Sequence, residues 1–80
     1  NQTDQTELVA DTFASGDPQY IKWALNTVAR AQSMTETAKA AGISQQALYK
    51  ALGENGDPKL STLTKITKAM GIDIRAALSA

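Results

Sequence analysis

Thr35-Glu-Thr-Ala-Lys-Ala-Ala-Gly-Ile-Ser-Gln-Gln-Ala-Leu-Tyr-Lys-Ala-Leu52 is the stretch that decides the fold of this chain. It reads as two short helices joined by a tight turn. Helices that cross steeply over such a turn leave no room for a bulky side chain at the crossing, and Ala38 stands there. Gly42, four residues on, tolerates the positive φ that the turn favours. Ile43 follows and can plug the core, Ser44 can cap the next helix, and Leu48 and Ala51 lie three apart on that helix's inner face. Residues of these types at these offsets fit a helix-turn-helix, with Ser44 to Leu52 as the recognition helix.

The outward face of that second helix carries the candidate chemistry. With Leu48 and Ala51 turned inward, Gln45, Gln46, Tyr49 and Lys50 remain for solvent or for DNA. A glutamine amide can donate to adenine N7 and accept from its N6 amino group in the major groove, and the start of a recognition helix is where base edges are reached. The helix N-terminus at Ser44 favours a phosphate. Lys50 is placed for the phosphate backbone, and Tyr49 can donate to phosphate, pack on a thymine methyl, or serve as a half-buried core aromatic. Thr35, Lys39 and Lys59 complete the candidate DNA contacts, although lysines such as Lys39, Lys59, Lys65 and Lys68 more often simply make solvated faces.

Outside the motif the chain reads as further short helices punctuated by glycine. Asp4 and Glu7 have capping-box spacing ahead of Leu8, Val9, Thr12 and Phe13, and Gly16 stops that helix. Asp17-Pro18 is an N-cap followed by proline at the first helical position, and Ile21, Ala24, Leu25, Val28 and Ala29 follow at helical spacing to about Ala31. Trp23, one step off that stripe, is expected to pack under the first helix or else to serve a partner surface. The start of the next helix is open between Ser33 as cap with Glu36 and Thr35 as cap with Met34 as staple. Asn55-Gly-Asp-Pro58 is a loop, and Leu60, Leu63, Ile66 and Met70 then share a helical face that Gly71 ends. The alternation in Ile72 to Leu78 fits a short strand or a frayed turn. The expected fold is all-α: about five short helices in one compact domain, with an acidic first helix over residues 1–16 and the helix-turn-helix body over residues 17–80.

Composition narrows the function. The 80 residues contain no cysteine and no histidine, which removes disulfides, the commonest zinc ligands and the commonest general base. No carboxylate cluster or phosphate-cradling glycine loop appears, so a catalytic site has little to be built from, and no cofactor or metal is expected. No apolar run reaches the ~18 residues that would cross a bilayer and no signal-peptide pattern opens the chain, so a cytoplasmic protein is expected. Net charge is zero, but its distribution is uneven. Asp4, Glu7, Asp11 and Asp17 precede every cation, and the remainder sets eight Lys and Arg against four Asp and Glu, a net +4. An acidic arm on a basic body suits an anionic partner for the body.

The same stretch resembles the helix-turn-helix of lambdoid phage repressors and the wider Cro/C1 (XRE) class. Its surroundings are similar to those of addiction-module antidote proteins, a HigA-like antitoxin group. The likeness rests on Gly16-Asp17-Pro18, Ala29-Arg30-Ala31, Leu48 to Leu52, and Asp57-Pro58-Lys59-Leu60-Ser61-Thr62-Leu63. It departs from the phage pattern at Met34, where a glutamine is usual, and at Leu60, where the antidote group has phenylalanine. The resemblance implies a lambda-repressor-like bundle, a toxin of the RelE/HigB type as partner, and repression of the shared operon. A domain of this size buries too little surface for high specificity alone, so a homodimer on a palindromic operator is expected. The alternatives are a solitary XRE-type regulator or prophage repressor, and an interaction module without DNA binding.

Overall fold

The computed structural model describes residues 2–72, with side chains from Asp4 onward. Five helices follow in order: α1 (Gln2–Ser15), α2 (Pro18–Gln32), α3 (Met34–Ala41), α4 (Gln45–Leu52) and α5 (Leu60–Ala69), with no strand among the described residues. The expected all-α bundle is what forms. The alternation expected from Ile72 to Leu78 falls almost wholly outside the described residues.

Local chemistry sets most of the helix limits. Asp4 is not the cap of α1 but lies inside its first turn, where a carboxylate complements the positive end of the helix dipole. Asp17 does cap α2: its carboxylate accepts from the Gln19 N–H at 3.0 Å, and Pro18 fills the first helical position. α2 runs one residue past Ala31, and Ser33 alone joins it to α3. The Ser33 N–H donates to the Ala29 carbonyl at 2.8 Å, closing α2, and its Oγ accepts from the Glu36 N–H at 3.1 Å, opening α3. Ser33, not Thr35, is therefore the cap. It serves both helices at φ 152°, a backbone strain of order 1–3 kcal/mol that the two hydrogen bonds help to offset.

The turn between α3 and α4 is fixed on both sides. Gly42 sits at φ 73°, its N–H donates to the Lys39 carbonyl at 3.1 Å, and the Ile43 N–H reaches back to the Ala38 carbonyl at 3.1 Å. Two residues after Gly42, the Ser44 Oγ accepts from the Ala47 N–H at 2.9 Å and starts α4. α5 ends by the same pair of bonds at Gly71 and Ile72, which carries Ile72 into the core.

Packing follows the apolar stripes. α1 lies on α2, α2 meets α3 and α4, and α3 meets α4 and α5. Val9, Leu25, Val28, Leu48 and Ile66 are fully buried, ringed by Met34, Ala38, Leu52, Met70 and Ile72. Each large side chain buried in this way contributes roughly 1.5–3 kcal/mol. Gln32 adds a polar tie, donating from Nε2 to the Gln5 side chain and to the Met70 carbonyl, both at 3.0 Å.

Three apolar expectations need correction. Leu52, rather than Ala51, joins Leu48 on the fully buried face of α4, while Ala51 and Ile43 are half-buried against the core. Leu60 lies at the very start of α5 and is 72% exposed, because the core has already closed around Leu63 and Ile66. Trp23 does not pack under α1. It is 54% exposed on the outer face of α2 and stacks on Tyr20, with ring centroids 5.8 Å apart.

Replacing Gly42 by alanine isolates the turn. A Cβ there meets no atom within 4 Å, so Gly42→Ala is penalised by its left-handed backbone alone, about 1–2 kcal/mol. A urea midpoint lowered with the m-value unchanged is expected; an unshifted midpoint contradicts this origin of the turn.

Candidate nucleic-acid interface

The inward seam of α4 leaves a continuous polar surface on its other side. Leu48 and Leu52 are buried, and Gln45, Gln46, Ala47, Tyr49 and Lys50 are all exposed. None of the last five contributes to the fully buried core. Tyr49 is 47% exposed, so it stands at the surface rather than as a core aromatic.

Two sets of candidate residues come together. On one side, the Thr35 hydroxyl donates to Gln45 Oε1 at 3.2 Å, a long bond that links the first turn of α3 to the first turn of α4. It occupies one of the two acceptor sites on that oxygen and leaves the amide's N–H₂ donors outward. On the other side, Lys50 and Lys59 line one open groove together with Asn55, Thr62 and the 56–58 segment. Lys39 lies apart from that groove: it is exposed one turn beyond Thr35 on α3. Ser44 is exposed but commits its oxygen to the α4 cap. Met34 is buried in the core, so the head of α3 supplies Thr35 to the surface instead.

The loop after α4 is held by more than its own turn. Gly56 presses so closely on the end of α4 that an added Cβ would lie 2.2 Å from the Lys50 carbonyl oxygen and 2.5 Å from that of Ala51. Only glycine fits such an approach without moving the backbone. From beneath, Lys22 donates through Nζ to the Glu54 carbonyl at 3.0 Å and to the Gly56 carbonyl. Gln19 Nε2 donates to the same Glu54 carbonyl at 2.9 Å. Lys22 is the residue that reading along the chain passed over. The available signal was its spacing, since Lys22, Leu25 and Ala29 recur at i, i+3 and i+7 on the apolar face.

A family model described as "probable addiction module antidote protein" matches residues 1–78. The chain belongs to that family. An uncharacterised protein of Haemophilus influenzae is 41% identical over 56 residues, covering 70% of this chain. The chain spans 58% of that relative's length. No solved structure matches the chain. No described helix is long and apolar enough to cross a membrane.

Because Thr35 and Gln45 are both exposed, their hydrogen bond should set orientation rather than stability. Thr35→Val is expected to change unfolding free energy by no more than about 0.5 kcal/mol. The side-chain amide resonances of Gln45 should move while those of Gln46 stay. Loss of more than about 2 kcal/mol would show that the pair holds the helices together instead.

Proposed function

We propose that the protein is an antitoxin that binds operator DNA as a dimer, represses its own operon, and neutralises a RelE/HigB-type toxin. The observation carrying the DNA half is the outward face of α4. Gln45, Gln46, Tyr49 and Lys50 project from a helix whose other face is locked into the core, beyond a turn that sets its angle to α3. In this reading α3 and α4 form a helix-turn-helix, and Gln45 and Gln46 read base edges in the major groove. Tyr49 and Lys50 meet the backbone or a thymine methyl, while Thr35, Lys39, Ser44 and Lys59 flank them with phosphate contacts. Membership of the antidote family supports the regulatory rather than catalytic character of the protein.

For the toxin, the surface that supports this reading lies on α1 and α2. Tyr20 and Trp23 form a stacked, exposed aromatic pair there, chemistry that is enriched at the centres of protein interfaces. Asp4, Glu7 and Asp11 recur at i, i+3 and i+7 on the exposed face of α1 and add an acidic ridge suited to a basic partner.

The experiment is a fluorescence-anisotropy titration with duplex DNA from upstream of the gene, at low and moderate salt. Wild-type affinity should fall steeply as salt rises. Gln46→Ala should relax sequence preference and weaken operator binding by ~1–3 kcal/mol, whereas Lys50→Ala should weaken all duplexes alike and reduce the salt slope by about one. If wild type and Gln46→Ala bind operator and random duplex equally, base reading by α4 is wrong. In the same preparation, Trp23→Ala should keep DNA affinity and lose capture of the toxin encoded beside it. Undiminished capture removes the aromatic pair from the toxin surface.

A further inference from the structure

The groove shared by Lys50 and Lys59 has a wall whose orientation is set from the opposite side. Residues 56–58 separate it from a small apolar recess lined by Phe13, Ile21, Lys22 and Leu63. Lys22 is 7% exposed, and its ammonium meets the Glu54 and Gly56 carbonyls from below the loop. A peptide unit is planar and trans, so its C=O and the following N–H point in opposite directions. With both carbonyls drawn towards Lys22, the N–H groups of Asn55 and Asp57 point away from it. Neither makes a hydrogen bond among the described residues, and both residues line the groove.

Two uncommitted amide donors on a groove that two lysines also line offer hydrogen bonds and positive charge to a phosphate. The Asp57 carboxylate belongs to the same loop and opposes it, leaving the two lysines and this one anion a net charge of +1 around the groove. We propose that Lys22 is a positioning residue: by holding the Glu54 and Gly56 carbonyls it directs the Asn55 and Asp57 N–H groups into the Lys50–Lys59 groove, where they bind a nucleic-acid phosphate. This rests on the DNA-binding reading of α4. Lys22 itself is buried beneath the loop and does not touch the phosphate, so its contribution to affinity is indirect.

The test is an amide-resolved NMR titration of the whole chain with a random-sequence duplex at low salt, a probe that presents phosphates without an operator. In wild type the Asn55 and Asp57 amides should shift together with those of α4. In Lys22→Met, with helix content retained by circular dichroism, the α4 amides should still shift, that of Asp57 should not, that of Asn55 should shift less because Gln19 still holds the Glu54 carbonyl, and affinity should fall roughly tenfold. Lys22→Arg, which can still donate to both carbonyls, should restore the two shifts. Asp57→Asn, which keeps its N–H and removes the opposing charge, should tighten binding. This variant and the wild-type titration decide the matter even if Lys22→Met does not fold. If α4 amides shift in wild type while Asn55 and Asp57 do not, or if Asp57→Asn binds no tighter, the phosphate site is overturned and the DNA reading stands. If nothing on α4 shifts and no duplex binds, the DNA reading fails first and takes the phosphate site with it.

Discussion

The left-handed backbone at Gly42 is the constraint on which the rest of the molecule depends. It turns the chain within three residues, so that α3 ends and α4 begins with both helix ends satisfied by short-range hydrogen bonds. The Ile43 N–H returns to the carbonyl of Ala38, a small residue buried in the core. Leu48 and Leu52 are thereby carried into the core, and the polar half of α4 is left facing outward. A right-handed backbone conformation at position 42 would continue α3 and remove the second helix from its place.

Around this turn the bundle relies on small residues and satisfied polar ones more than on bulk. Ala24, Ala29, Ala38 and Ala41 are buried, which lets helix backbones approach closely. Thr12 and Thr67 are buried too, and each returns its hydroxyl to a carbonyl of its own helix. No buried side-chain polar atom lacks a partner among the described residues. Lys22 follows the same rule at greater distance, since it crosses more than thirty positions of sequence to find its carbonyls. An ammonium group without those acceptors would be expensive to bury.

What was legible in the sequence was local. Asp17-Pro18, Gly42, Ser44 and Gly71 act on hydrogen bonds within a few residues of themselves, so the helix limits they imply agree closely with the structure. Asp4 misled because an acidic residue is equally at home inside a first turn, and α1 starts two residues earlier. The misses were tertiary. Periodicity puts Leu60 on the same stripe as Leu63 and Ile66, but it cannot say where the core stops. It places Trp23 beside the buried stripe, yet not that Tyr20 is its neighbour. The loop from Gly53 to Lys59 has no period at all, and what shapes it comes from α2 and from the close approach of Gly56 to α4. The exposed placement of Gln46 and Lys50 was readable, that of Tyr49 was open between surface and core, and the link from Thr35 to Gln45 depends on the angle between two helices.

The division of α4 into a buried seam and an outward face has a consequence for how such a protein diversifies. Positions 46, 49 and 50 carry no fully buried core side chain, and exposed substitutions of that kind usually change stability by about 0.5 kcal/mol or less. A randomised library at these positions would therefore return folded bundles nearly throughout, with Leu48 and Leu52 held constant. Folding and surface identity are written on alternate sides of one short helix, so the second can drift through successive single changes without passing through an unfolded intermediate.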